Sequence, residues 1–177
     1  LDFKISERNE KREEKPETVE LDENTGLKGM HFLCAEDNEL NAEILSELLE
    51  IEGASCEICE NGQVVVERFE QSKPGEFDMI LMDVQMPIMN GYEATKAIRS
   101  GTHPLAKTIP IIAMTANAFS EDIQNSLNAG MDAHVSKPVD MKTLIKTVHS
   151  IQSGVCGGGQ NLRRNDTWLS FGQIVQK

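Results

Sequence analysis

Five side chains sit where apolar runs end, and their types could do chemistry together. Glu36 and Asp37 follow the run Met30 to Ala35, and Asp83 closes Phe77 to Asp83. Thr115 closes Pro110 to Thr115, and Lys137 follows Ala133 to Ser136. Three carboxylates gathered in one place repel one another unless a cation lies among them. A hard divalent ion with oxygen ligands, Mg²⁺ above all, relieves that repulsion. The same ion neutralises charge on an incoming phosphoryl group. A carboxylate can attack phosphorus to give an aspartyl-phosphate. Lys137 offers a mobile positive charge for phosphate oxygens and Thr115 a hydroxyl donor. The set describes metal-assisted phosphoryl transfer onto a carboxylate. Taken singly, each residue has a plainer reading: an aspartate at a strand end more often caps a helix or forms a turn. Their joint occurrence at four strand ends carries the argument.

The elements that must position these residues alternate along the chain. Each apolar run reads as a strand, with a further one at Ala54 to Cys59. Between them lie helical patterns. The first carries Leu40, Ile44, Leu45, Leu48, Leu49 and Ile51 and stops at Gly53. The others run through Val64, Val65 and Phe69, from about Tyr92 to Arg99, from Ala118 to Ala129, and from about Asp140 to Ile151. Five β–α units of this kind predict an α/β fold: a parallel sheet covered by helices on both faces, with right-handed crossovers. Strands buried on both faces read as continuous apolar runs, as Met79-Ile80-Leu81-Met82 does. In such a sheet the carboxyl ends of all strands share one edge, so residues a hundred positions apart in sequence converge there.

Four ordered blocks then resemble a known family. Phe32-Leu33-Cys34-Ala35-Glu36-Asp37-Asn38, Ile80-Leu81-Met82-Asp83-Val84-Gln85-Met86-Pro87, Ile111-Ile112-Ala113-Met114-Thr115-Ala116 and Ser136-Lys137-Pro138 look like the signature blocks of response-regulator receiver domains. The resemblance spans about residues 29 to 151, and its wording is most similar to receivers attached to hybrid sensor histidine kinases. It implies a flavodoxin-like, doubly wound (βα)5 three-layer sandwich with strand order 2-1-3-4-5. It also implies that Asp83 is the phosphoacceptor and that Glu36 and Asp37 are the acidic pair that binds Mg²⁺ with it. The backbone carbonyl of Gln85 matches a further metal ligand, and Thr115 and Lys137 match the groups that engage phosphoryl oxygens. Thr115 would move toward the phosphate together with a residue on strand five. That residue is His134, where many receivers carry Tyr or Phe, which leaves the aromatic part of the switch open.

The partners implied are a histidine kinase as phosphodonor and a histidine phosphotransfer domain as recipient. Leu40 and Ile44 either belong to a broad core-facing stripe of the first helix or lie on its exposed flank, where such partners dock in relatives. The activity implied is self-phosphorylation and self-dephosphorylation only. Two rival readings stand beside it. One is a pseudo-receiver that acts only as an interaction module. The other is a phosphatase of the haloacid dehalogenase type, which would carry a second Asp where this chain has Gln85. A flavodoxin-type cofactor binder lacks its phosphate loop after strand one.

Composition sets the outer bounds. The chain has 177 residues, 39% hydrophobic and 26% charged, with a formal net charge of -12. That charge repels phosphate backbones and argues against nucleic-acid binding by this chain. No apolar run reaches the roughly 18–20 residues of a membrane span. A cytoplasmic setting is expected, whether free or as the cytoplasmic part of a membrane-anchored kinase. Residues 1–28 read as a charged linker or arm, 29–152 as the receiver, and 153–177 as a glycine-containing tail that ends with Trp168, Leu169, Phe171, Ile174 and Val175. A chain that opens on Leu1 is expected to be a fragment or a processed product, and the tail is too short for a DNA-binding module. Cys56 and Cys59 form a C-x-x-C, a spacing that can hold zinc. On a strand, however, residues three apart point to opposite faces, so core or half-buried thiols are expected.

Overall fold

The computed structural model describes residues 26–117 and 119–154. The readings made for residues 1–25 and for 155–177, Cys156 included, lie outside the described residues. Ten elements alternate: β1 (His31–Ala35), α1 (Glu39–Ile51), β2 (Ser55–Cys59), α2 (Gly62–Glu70), β3 (Met79–Asp83), α3 (Gly91–Ser100), β4 (Ile111–Thr115), α4 (Ser120–Ala129), β5 (Ala133–Ser136) and α5 (Met141–Gln152). All strand pairings are parallel, and the order is β2-β1-β3-β4-β5. This is the flavodoxin-like arrangement that the resemblance implied.

Strand alternation divides the core into two layers. One face of the sheet collects Leu33, Cys59, Ile80, Met82, Ile111 and Ala113 with Val65 and Phe69 of α2 and Ala94 and Ile98 of α3. The other collects Phe32, Cys34, Met79, Leu81, Ile112 and Met114 with Leu45 and Leu49 of α1 and Leu144 and Val148 of α5. Packing on the second face reaches back to Leu27, which is fully buried. Cys59 belongs to the first layer and Cys56 borders the second, so the C-x-x-C thiols lie on opposite faces, as the strand reading required.

Helix starts follow local chemistry. Asn38, Asn61 and Asp140 each accept a backbone N–H with the side chain at the start of α1, α2 and α5. Asn90 and Glu93 form a capping box at α3. That box brings Gly91 and Tyr92 into the first turn, one residue earlier than periodicity suggests. Helix α4 begins at Ser120 rather than Ala118, behind Phe119, whose side chain makes no cap hydrogen bond. Ala118 itself lies outside the described residues.

Candidate functional site

The strand order decides which carboxylates meet. Ala35 at the end of β1 pairs with Met82, so Glu36 and Asp83 leave adjacent central strands side by side. Both are 4% exposed, and Asp37 faces solvent beside them. Ligand oxygens of Glu36, Asp37 and Asp83 all lie within 4.8 Å of one another. Such closeness among buried acids is unstable without a compensating cation.

Lys137 supplies one. It follows β5, two strands from β3, and its Nζ lies 2.6 Å from Glu36 Oε2 and 2.6 Å from Asp83 Oδ2. Burial works to lower the Lys137 pKa, but the hydrogen bonds to Asp83 and Glu36 outweigh it and hold the ammonium above its usual range. For Asp83 the balance falls the other way. Burial raises its carboxyl pKa, and neither the Lys137 contact nor the Gln85 N–H fully offsets that rise.

Smaller contacts fix the acids in place. Asp83 Oδ1 accepts the Gln85 N–H at 3.1 Å. Glu36 Oε1 accepts the Asn38 N–H at 3.2 Å and the Asn41 Nδ2 amide at 3.3 Å. Asn41 escaped the sequence reading; its only signal is its place in the first turn of α1, close behind the acidic pair. Gly91 is the first residue of α3. A Cβ there would overlap the Asp83 carbonyl, so the absence of a side chain lets α3 start against the end of β3.

The structure gathers Glu36, Asp37, Asp83 and Lys137, and sets Gln85 next to them. Thr115 ends the neighbouring strand and is 6% exposed, but its hydroxyl donates to the Asn117 carbonyl at 2.9 Å instead of reaching the carboxylates. His134 is half-buried on β5 opposite Ala113. Leu40 and Ile44 are 64% and 48% exposed. They therefore lie off the core-facing stripe of α1, which Ala42, Leu45 and Leu49 form.

A parallel sheet of this order with an acid cluster at its carboxyl edge defines a class, and comparison with known proteins names it. Residues 32–149 match the family model of the response regulator receiver domain. The chain belongs to that family. A probable histidine kinase 2 from Oryza sativa subsp. indica is 36% identical over 151 residues, which cover 79% of this chain and 14% of that protein. The chain thus spans only a small part of the length of such relatives. The receiver domain of sensor histidine kinase PA1611 from Pseudomonas aeruginosa PAO1, with magnesium coordinated in its active-site cleft, superposes with a TM-score of 0.62. It is 32% identical, and the match covers 71% of this chain and 98% of that one. A co-crystal structure of the Saccharomyces cerevisiae histidine phosphotransfer protein Ypd1 and the receiver domain of Ssk1 gives 0.59 at 28% identity, over 68% of this chain and 87% of that one.

Among the described residues, no helix is long and apolar enough to cross a membrane.

Proposed function

We propose that this receiver accepts a phosphoryl group on Asp83 from a phosphohistidine and passes it on to a histidine phosphotransfer protein, as one module of a hybrid histidine kinase. The observation that carries the reading is the buried Asp83 carboxylate, within 4.8 Å of two further acids and 2.6 Å from Lys137. The donor set is all oxygen and rich in charge, which suits Mg²⁺. Glu36, Asp37, Asp83 and the Gln85 carbonyl would hold the ion, which supplies charge neutralisation for the transferring phosphoryl group.

The chain's own residues account for the rest. An Asp83 oxygen attacks phosphorus as the bond from phosphorus to the donor imidazole breaks, and the electron pair of that bond stays with the imidazole nitrogen. Lys137, already held between Glu36 and Asp83, pairs with a phosphoryl oxygen. Thr115 exchanges its bond with Asn117 for one to the phosphoryl group, and His134 repacks on β5 with that movement. Reversal of the first step onto a partner histidine completes the relay; attack by water on phosphorus instead breaks its bond to Asp83, releasing inorganic phosphate and the free carboxylate. The bound state lasts as long as neither occurs, so the domain holds a signal and turns over no separate substrate. Residues 29–152 form this module, and it acts in the cytoplasm.

The test is incubation of the chain with Mg²⁺ and acetyl phosphate, followed by intact mass measurement. One added phosphoryl group is expected, absent without Mg²⁺ and absent in Asp83→Asn. An adduct that survives Asp83→Asn refutes the assignment. A chain that binds partners equally well with either residue would instead be a pseudo-receiver.

A further inference from the structure

Helices α1 and α3 both begin behind an asparagine, yet they close their first turns differently. At α3 the Asn90 side chain accepts the Glu93 N–H at 2.9 Å, and Glu93 Oε2 accepts the Asn90 N–H at 3.1 Å. In that reciprocal arrangement the third helical residue supplies the returning carboxylate. At α1 the Asn38 side chain likewise accepts the Asn41 N–H at 3.0 Å. The Asn38 N–H, however, donates to Glu36 Oε1 at 3.2 Å. An acid from before the helix takes the place of one inside it.

Asn41, the third residue of α1, is thereby relieved of the return bond. It is the single side-chain amide of the helix, and its Nδ2 donates to the same Glu36 Oε1 at 3.3 Å. A glutamate or glutamine at this position would turn back to the Asn38 N–H and compete with Glu36 for it. Asparagine supplies a donor to Glu36 instead.

The two oxygens of Glu36 are therefore held from opposite sides. Oε1 takes two N–H donors from the start of α1, which is also the positive end of that helix. Oε2 lies 2.6 Å from Lys137 Nζ, behind β5. A glutamate side chain ends in a torsion with a broad energy well, so burial alone leaves the carboxylate plane loosely set. The Asn41 amide, carried on a helix, sets it. Orientation matters differently to different cations. Mg²⁺ demands a near-ideal octahedron of close oxygens, whereas Ca²⁺ accepts more ligands at longer and more variable distances.

We propose that Asn41 is a positioning residue of the acid cluster, which holds the Glu36 carboxylate for an octahedral cation and so sets a preference for Mg²⁺ over Ca²⁺. Asn41 acts through Glu36 and touches neither Asp83 nor Lys137. The inference rests on the reading of Glu36, Asp37 and Asp83 as an Mg²⁺ site.

Calorimetric titration of the full 177-residue chain with MgCl₂ and, separately, with CaCl₂ tests it. Asn41→Ala should weaken Mg²⁺ binding roughly tenfold, the lower end of the range for groups that orient metal ligands. Ca²⁺ binding should weaken less than about threefold, because that ion tolerates a looser carboxylate. Asn41→Leu, similar in size but without a donor, should behave as Asn41→Ala does. Both variants keep the N-cap, since Asn38 Oδ1 accepts a backbone N–H that any residue but proline supplies, and far-UV circular dichroism should show native helix content. In a Glu36→Ala background, Asn41→Ala should change neither affinity, because the group it acts through is gone.

A merely structural Asn41 would lower the urea midpoint and leave the ratio of the two affinities where it was. Equal losses for both ions, an unchanged Mg²⁺ affinity in Asn41→Ala, or an effect that persists without Glu36 would each overturn the proposal. A parent chain that binds no Mg²⁺ defeats the metal reading and this inference together. A parent that binds Mg²⁺ and takes a phosphoryl group on Asp83, while Asn41→Ala keeps both affinities, defeats this inference alone.

Discussion

Lys137 Nζ lies 2.6 Å from Asp83 Oδ2 although 54 positions separate the two residues in sequence. The same ammonium lies 2.6 Å from Glu36 Oε2, so one cation holds two buried acids. Its place between them makes Lys137 a stabilising group and, under the proposed phosphotransfer, the one to meet a phosphoryl oxygen.

Removing Lys137 should therefore cost stability as well as function. Lys137→Ala leaves Glu36 and Asp83 adjacent, buried and uncompensated. A loss of about 2 kcal/mol is expected, below the usual cost of breaking a fully buried pair because the lysine is 20% exposed. The Lys137 pKa is raised on folding. Its stabilisation is thus complete below the unfolded lysine value of about 10.4 and is lost as pH rises through the higher folded value. Urea unfolding of the two proteins should differ at neutral pH and converge in strong alkali.

Asp83→Asn should act in the opposite direction. Burial raises the Asp83 pKa, so the folded state disfavours its charge. A carboxylate raised in this way stabilises the folded state most below the unfolded value of about 3.9, and that contribution falls away as pH rises through the folded pKa. At neutral pH, without Mg²⁺, the asparagine variant should melt a few degrees higher, equivalent to about 1 kcal/mol. Mg²⁺ at a hundred times its Kd should add about 2.7 kcal/mol to the parent and far less to the variant. Calorimetry with and without the ion reads both effects.

Gly91→Ala tests the backing of Asp83, the proposed phosphoacceptor. The new Cβ would overlap the Asp83 carbonyl and crowd the Met82 side chain. The Gly91 N–H also donates to the Val84 carbonyl at 3.0 Å, which ties α3 to the end of β3. A destabilisation of about 1–3 kcal/mol is expected from such overpacking. Asp83 phosphorylation should slow even though no ligand is removed, as followed by intact mass. An unchanged rate would show that the strand end tolerates the displacement.

A pH effect is expected far from the site. Arg68 bridges Glu57 and Glu76 and lies 4.9 Å from the centre of the Phe77 ring. The Arg68 hydrogen bond lowers the Glu76 pKa. A lowered carboxylate stabilises above the unfolded value of about 4.3, and that stabilisation is lost as pH falls through the folded value. Glu76→Gln should therefore flatten the decline in urea midpoint on acidification below about pH 4.5.

Much of this protein was legible in its sequence because the signals are local. Apolar runs, caps and breaks set the five β–α units, and strand-end positions picked out Glu36, Asp37, Asp83, Thr115 and Lys137. Boundaries shifted where capping overrode periodicity, as Asn90 with Glu93 drew Gly91 into α3. Local pattern left open what depends on distance. That Lys137 reaches Glu36 as well as Asp83 follows from how β1, β3 and β5 lie in the sheet. The exposed flank of α1 belongs with this. Leu40 and Leu45 are equally apolar residues of one helix, and only the sheet beneath decides that one is buried and the other faces out. Side-chain chemistry is written residue by residue, whereas burial and contact arise when separate elements pack and displace water from one side of each.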